Sequence, residues 1–353
     1  MTLYESEDYR QDICRVAELD LPWESLRNAR LLISGATGLI GSFLTDVLMM
    51  KHAQGLGCEV VALCRNAKRA EARFDHWRAG GALKIVSHDI TLPLTAREWG
   101  DVDYVLHLAS NTHPMLYATD PIGTIMTNIT GLKNMLDYAA ACKARRFAFA
   151  SSNEIYGENR GDAELFGENY CGYIDSNTLR AGYPESKRCG EALCQAYRSQ
   201  MGIDAVIPRF TRSYGPTMLM SDTKAISQFI RKGVAGEDIV LKSAGTQYYS
   251  YTYVADAVSG LLTVLLKGED GQAYNIADER SDIILRDLAG TIAELCGVKV
   301  VFELPDATEA AGYSRATKAR LDGGKLTRLG WRAHYDIRSG IERTIRLLRQ
   351  EMQ

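Results

Sequence analysis

The sequence predicts an α/β fold, a doubly wound parallel sheet with a smaller, largely C-terminal α/β lobe that binds substrate. Three observations carry that expectation. Short apolar runs alternate with helix-patterned stretches through the first half of the chain, as in a parallel sheet covered on both faces. Residues 31–41 read LLISGATGLIG and lead directly into SFLTDVLMMKH, an order that fits a buried strand, a tight glycine turn and a helix start. The chain has 353 residues, 46% of them hydrophobic and 24% charged, enough for one large core and an additional lobe.

Taken in order, residues 1–29 form an N-terminal arm of one or two short helices, expected to cover a sheet edge or a partner subunit. Residues 30–216 make the Rossmann-like dinucleotide-binding half. Gly35 turns the chain out of the first strand, Gly38 admits a ligand close to the backbone, and Gly41 lets the helix lie against the sheet. The N–H groups at Leu39 and Ile40 then face a pyrophosphate at the positive helix end. The second strand, EVVAL at 59–63, is followed by Cys64, Arg65 and Asn66, where an acidic residue holding the ribose of NAD is absent. Arg65, with Lys68 or Arg69 behind it, is suited to a 2′-phosphate. That tilts the expectation towards NADP; the alternative is NAD with Arg65 on the adenine or in solvent.

KIVSHDIT is expected as a strand ending at Asp89 and Ile90, which meet the adenine. A fourth strand at 102–108 brings Ala109 under the cofactor, a long helix spans 121–144, and a fifth strand covers 145–152. That strand ends in Ser151, Ser152, Asn153 and Glu154, and GYPESKRCGEA follows about thirty residues later. A helix starting near Pro184 puts Tyr183 and Lys187 on one face. Such a tyrosine accepts a proton only if its pKa falls from about 10, which a nearby ammonium favours. Ser152 at a strand end is placed to orient the same substrate hydroxyl.

Residues 217–353 are expected as mostly substrate-binding lobe, with 251–277 returning to the main domain. The C-terminal helix at 338–350 carries Ile341, Ile345 and Leu348 at helical spacing. No metal is expected: the six histidines are spread widely, without ligand spacing. His107 is expected beside the cofactor and His113 near the substrate. The net charge of −3 gives no case for nucleic acid, and no stretch is long enough to span a membrane. Eight cysteines without a C-x-x-C pair fit reduced thiols and a cytoplasmic setting.

Over residues 30–348 the chain resembles the extended short-chain dehydrogenase/reductase family, in its NAD(P)-dependent epimerase/dehydratase branch acting on nucleotide sugars. The resemblance rests on GATGLIG (35–41), HLAS (107–110), PIGTIMTNITGLKNML (121–136), SSNEIYG (151–157), YPESK (183–187), YGP (214–216), YTYVADAVSGL (251–261) and LDGGKLTRLGW (321–331). It implies a nicotinamide cofactor, NAD or NADP, tightly bound and recycled, and transient oxidation at sugar carbon 4. Tyr183 would be the base, Lys187 would hold the nicotinamide ribose, Ser152 would bind the carbon 4 hydroxyl, Glu154 would assist the step that follows oxidation, and Asn128 would belong to the substrate and cofactor scaffold.

Within the branch, 4,6-dehydratases carry an aspartate followed by a glutamate where this chain has Asn153 and Glu154, and an amide is no proton donor of the carboxylic-acid kind. UDP-glucuronate decarboxylases are the nearest in pattern; a dehydratase or epimerase on another activated sugar, or an inactive dinucleotide-binding scaffold, are the alternatives. Two departures bear on the substrate. Arg212 stands where the branch commonly has Asn, and Tyr249 where it commonly has a diphosphate-binding Arg. Arg212, with Lys318 or Arg320, is the expected replacement, unless Arg212 pairs with an acidic neighbour. A homodimer is expected through helices 121–144 and 185–200.

Overall fold

The computed structural model describes residues 2–94, 99–112, 114–303 and 317–352. Fourteen strands are present among them: β1 Arg30–Ser34, β2 Glu59–Cys64, β3 Leu83–Ser87, β4 Tyr104–His107, β5 Arg146–Phe149, β6 Ser151–Ser152, β7 Ala205–Phe210, β8 Arg212–Tyr214, β9 Ile239–Leu241, β10 Tyr248–Tyr253, β11 Ala273–Ile276, β12 Asp282–Ile284, β13 Val300–Phe302 and β14 Lys318–Ala319. The principal helices are α1 Glu7–Ala17, α2 Leu39–Lys51, α3 Ala67–Arg73, α4 Pro114–Thr119, α5 Pro121–Met126, α6 Leu132–Cys142, α7 Gly182–Met201, α8 Ala225–Val234, α9 Val254–Lys267 and α10 Leu285–Cys296. Gly324–Arg328 and Ile337–Met352 complete the set.

The main sheet runs β11-β7-β5-β4-β1-β2-β3, with β6 beside β7, and its pairings are parallel. The strand order reverses between β1 and β4, and the crevice at the carboxyl ends of such a pair is where open α/β sheets bind ligands. β1 is apolar on both sides because both sides are covered: Leu31 and Ile33 face one core, Leu32 the other. A second sheet, β12-β10-β14 with β8 on β10, and a β13-β9 pair form the remainder.

Several elements differ from the sequence-based expectation. β3 stops at Ser87, because Asp89 accepts bonds from the Thr91 backbone N–H and hydroxyl at 2.9 and 2.8 Å and turns the chain there. The helix expected over 121–144 carries a π-turn at Thr127–Gly131 between α5 and α6, and Lys143 closes it in the left-handed region. The N-terminal arm lies on helices rather than along a sheet edge. α1 packs on α2 and α9; Tyr9 donates to the buried Asp46 at 2.7 Å, and Asp12 accepts from Tyr253 at 2.8 Å. No helix among the described residues is long and apolar enough to cross a membrane.

Candidate active site

A cavity of about 1110 Å³ opens at the carboxyl ends of the main strands and runs on towards α8 and β9. At one end sits the glycine loop. Gly35 has φ +72°, and a Cβ there would lie 2.8 Å from the Ala109 nitrogen. A Cβ at Gly41 would lie 2.3 Å from the Gly35 carbonyl oxygen. The loop therefore has no room for side chains, which brings the start of α2 onto the crevice. The first N–H groups of that helix, at Leu39 and Ile40, have no carbonyl a turn earlier to bond. Both residues line the cavity, as do Gly38 and Ala109. This cradle fits the pyrophosphate of a nicotinamide dinucleotide.

The adenosine end is framed by Arg65, Asn66, Arg69, Asp89 and Ile90. Asn66 is occupied in capping α3, accepting from the Arg69 N–H at 3.0 Å. The Asp89 carboxyl is held below its ordinary range by the two Thr91 hydrogen bonds. Ile90 is buried under α6's approach, close enough that a Cβ at Gly131 would meet its Cδ1 at 2.7 Å.

In the middle of the cavity α7 presents Tyr183 and Lys187. Lys187 Nζ donates to the Ala150 carbonyl at 2.8 Å and lies 5.9 Å from the Tyr183 ring centroid. Burial pushes the Lys187 ammonium down to about 7. It also pushes the Tyr183 phenol up to about 12, against the downward effect of hydrogen bonds involving Ser152 and Tyr117. The expected phenolate is therefore not favoured by the chain alone: in this dry pocket desolvation is the largest influence on the phenol. The positive nicotinamide ring is the group that would reverse that balance. Tyr117, on α4, stacks on Tyr183 with centroids 4.7 Å apart.

The far wall is built from charge. Glu154, in the 3₁₀ turn Asn153–Tyr156 after β6, contacts Arg180 at 2.6 Å and Arg212 at 3.6 Å. Burial opposes its ionisation, yet the two guanidinium groups hold it below the usual carboxylate range. Arg212, on β8, stacks on Tyr249 of β10 with Cζ 3.5 Å from the ring centroid, which follows from the pairing of those strands. Asn153, Arg212 and Tyr249 all line the cavity.

Some expected residues lie elsewhere. Asn128 is fully buried behind the wall, accepting from Ser110 at 2.7 Å and donating to Ser186 at 2.8 Å. Arg320 is not among the cavity-lining residues; it pairs with Glu164 at 2.9 Å and lies over Tyr248. Lys318 is likewise absent from that lining and exposed. His107 is buried, its Nδ1 2.8 Å from Ser34 Oγ. That hydroxyl also accepts from the Leu108 and Ala109 N–H groups. Burial depresses the imidazole pKa to about 3. His113 lies outside the described residues. Among the described residues no cluster of His, Cys, Asp and Glu has the makings of a metal site.

Residues 31–277 match the family model described as the NAD dependent epimerase/dehydratase family. The chain belongs to that family. It is an enzyme of this NAD-dependent class. It is 33% identical over 318 residues to UDP-glucuronic acid decarboxylase 3 of Arabidopsis thaliana, covering 89% of this chain and 87% of that one. It is 32% identical over 324 residues to UDP-glucuronic acid decarboxylase 1 of Xenopus tropicalis, covering 92% and 73%. Among solved structures it resembles a dTDP-glucose 4,6-dehydratase from Streptomyces venezuelae with NAD bound, with a TM-score of 0.79, 26% identity, and coverage of 91% and 97%.

Sequence reasoning missed two residues of this family member's site, Arg180 and Tyr117. Arg180 had a signal: it stands three residues before Tyr183, one turn ahead on the same approach. Tyr117 had none, because its place depends on α4 folding across α7.

Proposed function

We propose that the protein decarboxylates a nucleotide-linked uronate, with UDP-glucuronate as the leading substrate. The observation that carries this reading is the pair after Ser152, an amide at Asn153 followed by a carboxylate at Glu154 kept ionised by Arg180 and Arg212. Neither is a ready acid for expelling a 6-hydroxyl, so dehydration is poorly served. Decarboxylation makes no such demand, and the decarboxylase relatives favour it.

A bound nicotinamide ring would supply a reversible hydride acceptor for sugar carbon 4. Everything else falls to the chain. Tyr183 Oη takes the proton of the carbon 4 hydroxyl, and Ser152 holds that hydroxyl in line. Lys187, tethered to the Ala150 carbonyl, steadies the ribose side of the site. Once carbon 4 is a ketone, the carboxylate on carbon 5 is beta to it. The carbon–carbon bond to the carboxylate breaks, its electrons move towards the carbon 4 oxygen, carbon dioxide leaves, and a proton taken up at carbon 5, ultimately from solvent, restores the carbon 4 ketone that the returning hydride reduces. Burial of the site excludes water from the intermediate.

Two finer readings accompany this one. The cofactor is retained through each cycle, and Arg65 with Arg69 at the mouth, without an acidic residue after β2, supports acceptance of NADP beside NAD. A homodimer is supported by apolar residues on the outer faces of α5 and α7: Ile122 is 75% exposed, and Ala192 and Cys189 are exposed as well. Such a surface suits helix-on-helix pairing. Light scattering at micromolar concentration is expected to give twice the chain mass, and a monomer mass removes the dimer.

The deciding experiment incubates the cofactor-loaded protein with UDP-, dTDP-, GDP- and CDP-sugars, including UDP-glucuronate, and records product masses. Loss of carbon dioxide from UDP-glucuronate is expected. Loss of water from a neutral sugar nucleotide, with UDP-glucuronate untouched, transfers the reading to the dehydratase suggested by the structural likeness. Acid release of the cofactor from the same preparation, identified by mass, separates NAD from NADP.

A further inference from the structure

Three guanidinium nitrogens in the far wall are buried without a hydrogen-bond partner among the described residues: Nε and Nη1 of Arg180 and Nη1 of Arg212. Buried donors are seldom left unbonded, because each forfeits its bond to water. These three cluster around one carboxylate, Glu154, whose two oxygens engage the Nη2 atoms of the two arginines. Arginine stays protonated under all ordinary conditions, so the trio Arg180, Arg212 and Glu154 carries one uncompensated positive charge.

The arginines are also fixed in place. Arg212 lies flat on Tyr249, and Arg180 stands 4.9 Å over the ring of Tyr117. Stacking restrains a guanidinium plane while leaving its edge donors available. Their side chains are only 14% and 16% exposed, and the three unbonded nitrogens are themselves almost wholly covered, so a ligand engages them only as the wall side chains shift to meet it. Both line the main cavity next to Ser152 and Tyr183, and both line a second hollow of about 60 Å³ behind it.

We propose that Arg180 and Arg212 form a receptor for a single carboxylate on the substrate's sugar, and that they make the enzyme select uronate-type sugar nucleotides over neutral ones. This rests on the proposed function only in seating the sugar beside Tyr183. One carboxylate matches both the residual single charge and the forked donors of a guanidinium edge. A neutral sugar leaves the charge and the donors unanswered, which disfavours it. A diphosphate is the less suitable guest here, since it brings about two charges to a cluster that lacks one. Lys224 and Lys232 line the same cavity further along, on the side of α8. The arginine commonly expected at position 249 is thus not simply moved to position 212. Its replacement reads a different group.

The test measures binding of UDP-glucuronate, UDP-glucose and UDP to the cofactor-loaded protein by calorimetry. Wild type is expected to prefer UDP-glucuronate over UDP-glucose by roughly 10- to 100-fold, the range for hydrogen bonds to a charged partner. Arg212→Gln leaves Arg180 and Glu154 balanced, which favours a folded variant, and is expected to abolish most of that preference with UDP and UDP-glucose changed less than about threefold. Glu154→Gln adds to the surplus charge and is expected to raise the preference. The two variants therefore move the ratio in opposite directions, which a general loss of fold would not do.

Several results overturn the proposal: wild type showing no preference, or binding none of the three; the ratio unchanged in Arg212→Gln; or all three ligands weakened together, which puts Arg212 on the diphosphate. Carbon dioxide release is scored separately. A protein that prefers the uronate and releases none refutes the decarboxylase reading and leaves the receptor standing; a decarboxylase with an unchanged ratio in Arg212→Gln does the reverse.

Discussion

The two ends of the cavity are made by different means. At the glycine loop the site is backbone: Gly35 and Gly41 leave no room for a Cβ, and the donors are main-chain N–H groups at a helix start. At the far wall the site is side-chain charge: Glu154, Arg180 and Arg212 come from three separate segments and meet only after β6, α7 and β8 are in place. A backbone cradle suits a group that every cycle reuses. A wall of side chains can be rebuilt by single substitutions, and that is where substrate choice is expected to reside.

The sharpest separation of the two ends comes from Tyr183→Phe. Phenylalanine keeps the stacking with Tyr117 and removes only the hydroxyl to which the proposed mechanism assigns proton exchange with the substrate. Turnover is expected to fall about 10²- to 10⁴-fold, the range for loss of a positioned acid/base group. Cofactor content after acid extraction is expected to stay as in wild type. Loss of cofactor in parallel with activity would dissolve the division between the two ends.

The converse change is Gly41→Ala. Its added methyl would meet the Gly35 carbonyl at 2.3 Å and the Ala36 Cα at 2.8 Å, both backbone atoms with little freedom to retreat. Overpacking of this kind costs about 1–3 kcal/mol. A lower melting temperature and a weaker hold on the dinucleotide are expected, both measured by thermal unfolding with and without added cofactor. The ratio of UDP-glucuronate to UDP-glucose affinity, read at saturating cofactor, should hardly move.

The same division explains what was legible in the sequence. β1, the glycine turn and α2 are contiguous, so local pattern and sterics were enough to anticipate them. Tyr183 and Lys187 were legible because one helical turn separates them. Glu154 and Arg212 could be singled out as residue types, but their contact across 58 positions of sequence depends on β6 lying beside β7, with Ser152 opposite Phe210. Arg320 was misjudged for the same reason: its charge fitted a phosphate role, whereas the fold sets it against Glu164 and Tyr248. α10 was overlooked although Leu288, Ala289, Ile292 and Ala293 are buried at helical spacing. Its segment bears no chemistry to draw attention to it. The direction of the Tyr183 shift was also beyond the sequence, since it depends on how dry the pocket is.

The smallest expected effect tests whether the far wall is charged in the way described. The Glu154 carboxyl ordinarily titrates near 4.5 and is held lower in the folded protein; burial works against this, and Arg180 with Arg212 prevails. A carboxyl depressed on folding stabilises the native state above its unfolded pKa, and that contribution disappears as pH falls through the folded value. Glu154→Gln lacks the contribution at every pH and leaves both arginines facing an amide. At pH near 7 the variant should be less stable than wild type by about 1–3 kcal/mol, as for loss of a partly buried charged hydrogen-bond partner. Between about pH 5 and pH 3 the gap should narrow, because wild type alone loses the carboxylate as it becomes protonated. Urea unfolding of both proteins across that range gives the difference directly and cancels the other acidic groups they share. A gap constant from neutrality down to pH 3 would mean that Glu154 contributes shape rather than charge, and the contrast between the two ends of the cavity would lose its electrostatic half.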